Sequence, residues 1–149
     1  MHYSASGLTF TLDFEGDKLT AYRGRDGVWT IGAGHTRGVY EGMTITEQQA
    51  KDFELQDISD AESIVNKHVT VDLTQNEFDA IVDAVFNLGP AFVTGSTFID
   101  LLNSGQYHRA ASEFDKWDHC KGLVLPGLLR RRQAETTLFD DGIQNEGSK

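Results

Sequence analysis

At 149 residues the chain is about one domain long, and it can bury a sizeable core without disulfides or metal. Apolar residues at 39% and charged residues at 24% are ordinary globular values and exclude collagen-like, low-complexity and disordered classes. Thirteen Lys and Arg against 23 Asp and Glu leave a net charge of −10, which argues against holding nucleic acid or anionic lipid through the general field.

The opening Met1-His2-Tyr3-Ser4 has neither a basic n-region nor an apolar h-region, and no apolar run reaches the ~20 residues of a membrane span. Neither a signal peptide nor a stable membrane anchor is expected. Residues 8–14 satisfy two patterns. Their strict alternation suits a strand, while the pairs Leu8/Leu12 and Phe10/Phe14 suit a helix. Residues 16–45 are glycine-rich with short β-forming runs, and Asp26-Gly27 is a hairpin signal, so a hairpin or three-stranded sheet is expected there.

From Thr46 the period turns helical. Thr46 and Gln49 can form a capping box, as can Thr74 and Glu77. The second box opens a helix whose Phe78, Ile81, Val82, Val85 and Phe86 make a broad apolar stripe, stopped by Gly89-Pro90. Ser96 can cap a short helix ending near Ser104-Gly105, and Tyr107, Ala110, Ala111 and Phe114 make another face. Pro126 suits the first position of a last helix running through Leu138-Phe139, with a polar, frayed tail from Asp140. The order predicts an α+β fold: a small β lobe at about 16–45 beside a mainly helical lobe, with a ligand cleft between them.

Residues 106–135 hold six of the thirteen basic residues and only four acids, so if an anionic ligand is bound it is expected near this stretch. The single Cys120 excludes an internal disulfide, and the five histidines show no metal-ligand spacing. No metal or cofactor is expected.

Three residues could carry chemistry. Glu15 follows an apolar run at an element boundary, where burial against Phe14 would raise its pKa and let it donate a proton. Thr30, in a predicted strand, could hold a water. His35, after Gly32-Ala33-Gly34, could fix a loop by hydrogen bonds. Taken singly, the ordinary reading is preferred for each: an exposed Glu at a helix end, a β-former in a strand and a histidine that fixes a loop.

Together they form a pattern. Glu15-Gly16, Leu19-Thr20-Ala21-Tyr22 and the run from Gly27 to Thr36 strongly resemble the phage-type lysozymes, the endolysin muramidases of glycoside hydrolase family twenty-four. Thr46-x-x-Gln49-Ala50, Ala84-Val85-Phe86-Asn87-Leu88-Gly89 and Gly127-Leu128-Leu129-Arg130-Arg131-Arg132-x-x-Glu135 extend the resemblance over residues 8–139. It implies one two-lobed lysozyme domain over 1–149, with residues 8–14 helical. The substrate would be peptidoglycan, cut between N-acetylmuramic acid and N-acetylglucosamine. Glu15 would be the general acid and Thr30 would position the attacking water. His35 would support the active-site loop, Asn87 would sit near the acid, and Arg131 and Arg132 would make ion pairs at the helical side of the cleft. The partner would be the glycan strand, met by a monomer. The chain would be made in the host cytoplasm and would reach the wall after release through a membrane lesion or by delivery.

One position departs from the pattern. The family's acidic residue nine positions after the catalytic Glu is here Gly24. Glycosidases generally use two carboxyl groups. Three readings stand: Asp26 takes the role, Glu15 and a Thr30-held water suffice at reduced rate, or the glycine inactivates the site. A lytic transglycosylase, which needs one carboxyl, and a non-enzymatic peptidoglycan-binding module are the alternatives.

Overall fold

The computed structural model describes residues 1–147 apart from Gly16, Asp17, Arg25, Lys121 and Leu125. The ambiguous N-terminal segment is a helix, α1 (Ala5–Phe14), capped by Ser4, whose side chain accepts from the Gly7 amide. Its buried face is small and polar, made of Gly7 and Thr11. A Cβ at Gly7 would stand 2.6 Å from the Tyr3 ring and 2.9 Å from the Asp79 carboxyl, so glycine permits the close approach.

The β lobe follows. Strands β1 (Lys18–Arg23) and β2 (Trp29–Gly32) pair antiparallel with Tyr22 opposite Thr30. Residues 43–45 run alongside β1 through Ala21 N→Met43 O and Ile45 N→Leu19 O, each 2.9 Å. The lobe has its own small core of Ile31, Ile45 and Ala50.

Helix α2 (Glu47–His68) ties this core to the larger one: Ala50 belongs to the first, Ala61 and Val65 to the second. Both expected capping boxes form, at Thr46/Gln49 on α2 and at Thr74/Glu77 on α3 (Gln75–Leu88). Every residue of α3 from Glu77 to Val85 is buried, so it is the central helix. A 3-10 turn (Pro90–Val93), α4 (Thr97–Asn103), α5 (Tyr107–Ala111) and a second 3-10 turn (Phe114–Trp117) wrap it. They supply an aromatic cluster in which Phe92 stacks on Phe98 with centroids 4.3 Å apart and Phe114 meets Phe139 at 5.5 Å.

Two features differ from the sequence reading. A second hairpin, β3 (His119–Cys120) with β4 (Leu123–Val124), stands before the last helix. Strands of two residues are too short to show a period. The last helix, α6 (Pro126–Gly147), also runs well beyond Phe139 into the expected frayed tail. Gly142 is the cause: a Cβ there would collide with Thr74 and stand 2.9 Å from Glu77 Cγ, so its absence lets α6 press on the start of α3. Ile143 then packs against the main core.

Candidate active site

A cleft of about 720 Å³ lies between the β lobe and the helices, and Glu15, Gly24, Asp26, Thr30, Asn87 and Arg131 all line it. They come from the end of α1, the β1–β2 turn, β2, α3 and α6. Glu15 is the C-cap of α1, its amide donating to Thr11 O. The turn from Gly32 to His35 folds back on β2 through reciprocal Ile31–His35 hydrogen bonds of 2.9 and 3.0 Å. That turn brings Gly34 against the acid. A Cβ on Gly34 would stand 3.3 Å from Glu15 Oε2, and its φ of +93° also favours glycine. His35 holds the turn from behind. Its ring stacks on Phe53 at 4.2 Å, and Nδ1 lies 2.8 Å from Asp57 Oδ2.

Thr30 is buried at the cleft wall, and its hydroxyl donates to Val28 O at 2.9 Å. Its lone pairs are therefore left to accept from a water or a sugar hydroxyl. Asp26 closes the hairpin turn: Oδ1 accepts from the Val28 amide at 3.0 Å. The same oxygen lies 3.2 Å from where a Cβ at Gly24 would be, and that Cβ would stand 3.1 Å from Thr30 Oγ1. The exposed Asp26 carboxylate thus fills the space that a position-24 side chain would enter.

Beneath Glu15 lies a charged layer. Arg131 is buried and donates from Nη1 to Glu15 Oε1, while Nε and Nη2 clamp Asp83 at 2.9 and 2.8 Å. Glu15 is therefore flanked by a cation as well as by the expected Phe14, and Arg131 also lies over the Phe14 ring at 5.3 Å. Thr11 adds a third donor to Asp83 at 2.6 Å. For Asp83, burial pushes the pKa up most. The hydrogen bond to Glu135 and the Arg131 charge outweigh it and hold the carboxyl at about 2. Glu135 goes the other way: burial and then Asp83 hold it well above the usual carboxylate range, against the pull of Arg132.

Arg132 is fully buried outside the cleft lining. Its Nη2 donates to Glu135 Oε1 at 2.6 Å and to Asn87 Oδ1 at 2.9 Å, so it steadies Asn87 and cannot touch a ligand. The basic stretch is thus not an anion site as a whole. Arg131 and Arg132 face internal carboxyls, Lys116 pairs with Glu113 at 2.7 Å, and Lys121 lies outside the described residues. Arg130 alone of its basic residues is both exposed and on the cleft, among the described residues. Sequence reasoning missed Asp83 and Asp57. Asp83 left a signal, a carboxylate inside the apolar stripe of α3, where a charge needs a buried partner.

A small sheet, a helical body and an acid-lined cleft at their junction define a lysozyme-type fold. The chain belongs to the phage lysozyme family, whose family model matches residues 12–135. It is 44% identical to an endolysin of Acyrthosiphon pisum secondary endosymbiont phage 1, over 94% of this chain and 99% of that one. It is 36% identical to an endolysin of Bacillus phage B103, of which it spans only 58%. The solved endolysin from Escherichia coli O157:H7 phage FAHEc1 superposes with a TM-score of 0.82 at 37% identity, covering 95% of this chain and 94% of that one. The chain is therefore an enzyme, a hydrolase of the muramidase class. Among the described residues no helix is long and apolar enough to cross a membrane.

Proposed function

We propose that the chain hydrolyses the β-1,4 bond between N-acetylmuramic acid and N-acetylglucosamine in peptidoglycan, acting as a monomer and without nucleic acid or membrane partners. The observation that carries this reading is the convergence on one cleft of Glu15, Thr30 and the Asp26 carboxylate. Glu15 gives its proton to the leaving sugar oxygen, and Thr30 accepts a hydrogen bond from the attacking water. Asp26 stands where the family's missing acid would reach and stabilises the positive charge that develops at the sugar ring. His35 keeps the Gly34 turn against Glu15, Asn87 contributes to the cleft wall, and Arg131 steadies the carboxylate left after proton transfer. The host cytoplasm is the site of synthesis in this reading, and the wall is reached after release or delivery.

The test is clearing of outer-membrane-permeabilised cells. Glu15→Gln should be inactive, and full clearing by it would remove the reading. Asp26→Asn should lose about a hundredfold, comparable to losing one preorganised electrostatic contact. Gly24→Asp should restore much of that loss in the Asp26→Asn background, because a side chain at position 24 enters the same space. If Asp26→Asn matches the parent, Asp26 is a turn former only. Hydrolysis should leave reducing ends; 1,6-anhydro ends would assign the reaction to the transglycosylase class.

A further inference from the structure

The layer under Glu15 contains more acid than its cations neutralise. Arg131 and Arg132 face three carboxyl groups there: Glu15, Asp83 and Glu135. The Asp83 and Glu135 side chains are wholly buried. The Asp83 oxygens take Thr11 Oγ1 and two Arg131 nitrogens. Glu135 is supplied differently: Oε1 accepts from Arg132, while the buried Oε2 has no N–H or O–H donor within reach among the described residues. An ionised Oε2 in that position would be an anion with nothing to answer it. Glu135 and Asp83 also meet at one atom: Arg131 Nε donates to Asp83 Oδ2 at 2.9 Å and lies 3.9 Å from Glu135 Oε1. Two carboxyl groups held around one N–H avoid like-charge repulsion when one of them carries a proton.

We propose that Asp83 and Glu135 share a single proton, and that this carboxyl pair is the positioning device that aims the Arg131 guanidinium at Glu15. The proton resides on Glu135, because Asp83 already accepts three donors. It removes one negative charge from a layer in which two guanidinium groups face three carboxyl groups. It also leaves Asp83 free to clamp Arg131 through two nitrogens, so the third points at Glu15. The other groups around the pair fit. Tyr3 Oη lies 2.5 Å from Thr11 Oγ1 and donates to it, since the Thr11 hydroxyl is itself spent on Asp83, while Asp79 is occupied by Ser4 and Gln75. Asn87 faces Arg132 and carries no charge. The aiming half of the inference rests on Glu15 being the catalytic acid; the shared proton does not.

The experiment has two independent readouts on the full chain. The first is the carboxyl carbon resonance of Glu135 in protein labelled at glutamate, assigned by its absence in Glu135→Gln. It should stay at the protonated position at neutral pH, and an ionised position there would overturn the shared proton. The second is steady-state kinetics on purified glycan. Glu135→Gln supplies an N–H where the proton was and should keep kcat within about threefold. Glu135→Ala should lower kcat about tenfold or more at unchanged KM, since Arg131 loses its aim. A Gln variant as slow as the Ala variant, or a loss that lies only in KM, would overturn the aiming role. If Glu15→Gln proved fully active, the muramidase mechanism would fall while the resonance still judged the proton.

Discussion

Helix α6 takes part in two cores built on opposite principles, one beside the other along its length. Around Phe139 the interior is aromatic, with Phe92, Phe98 and Phe114 packed ring to ring. Two turns earlier, around Arg131, Arg132 and Glu135, the interior is ionic. The aromatic core stabilises without direction: each buried ring contributes about 1.5–3 kcal/mol, wherever the pieces interlock. The ionic core costs desolvation for every charge it holds and, among the described residues, leaves Arg132 Nε and Nη1 without acceptors. What it supplies is direction. A guanidinium clamped at two nitrogens has one orientation, and here that orientation ends on Glu15. One region holds the helices together; the other sets where one atom points.

The largest expected effect tests that division. Phe114→Ala leaves a cavity in the aromatic core and should cost about 3–5 kcal/mol of stability. Arg131→Ala leaves Asp83 buried and uncompensated and should cost about the same. Denaturant unfolding of the two variants should give similar losses. Activity separates them. At a temperature where both are folded, Phe114→Ala should keep near-parental kcat and Arg131→Ala should lose most of it. Equal kcat in the two variants would show that the ionic layer is structural and nothing more.

Next in size is the pH dependence of stability. Asp83 titrates in the fold at about 2 against an ordinary 3.8, so its contribution is whole above the ordinary value and is lost as pH falls toward 2. Glu135 is raised above its ordinary 4.5. Between those two values the folded state holds a proton that the unfolded state has released. Stability is therefore whole below 4.5 and falls as pH rises through the window above it. These two groups alone place the optimum at about pH 4–5. Replacing Glu135 by Gln removes the group that titrates, so the decline toward neutral pH should flatten in that variant. Melting temperatures across the range decide it; parallel curves for parent and variant would remove Glu135 from the account.

The two cores also differ in how readable they were in the chain. The stripe of α3, both capping boxes, the hairpin turn at Asp26-Gly27 and the opening of α6 at Pro126 are local signals and could be read directly. Segment 8–14 could not, because its two periods fit equally well. What decides it is tertiary: Thr11 must reach Asp83, 72 residues away in sequence. The ionic core is the extreme case. Its contacts join α1, α3 and α6, and no window of sequence contains them. Arg131 and Arg132 read as a basic patch because charge can be counted along a chain, while the carboxyls that neutralise it cannot be located that way. Glu15, Thr30 and His35 were legible as a set only through their spacing, which a family resemblance interprets and propensity does not. The length of α6 was hidden for a simpler reason: Gly142 looks like a helix breaker until the close approach to Thr74 and Glu77 is seen.

The smallest effect concerns what the internal pairing leaves for the substrate. Because Arg131 and Arg132 answer internal carboxyls, the cleft presents Lys18 and Arg130 as cations against Asp13 and Asp26. The chain around it carries −10. Cell walls bear anionic polymers, so long-range approach is repulsive while local contacts are nearly balanced. Raising ionic strength from roughly 0.01 to 0.1 M shortens the screening length from about 30 to about 10 Å, which removes the distant repulsion before it touches contacts within the cleft. Clearing rates should therefore rise modestly or stay level over that range. A steep fall would mean that Lys18 and Arg130 dominate recognition, and Arg130→Gln should then abolish the salt dependence. The aromatic core is indifferent to this change, and Phe114→Ala should follow the parental salt curve at every point.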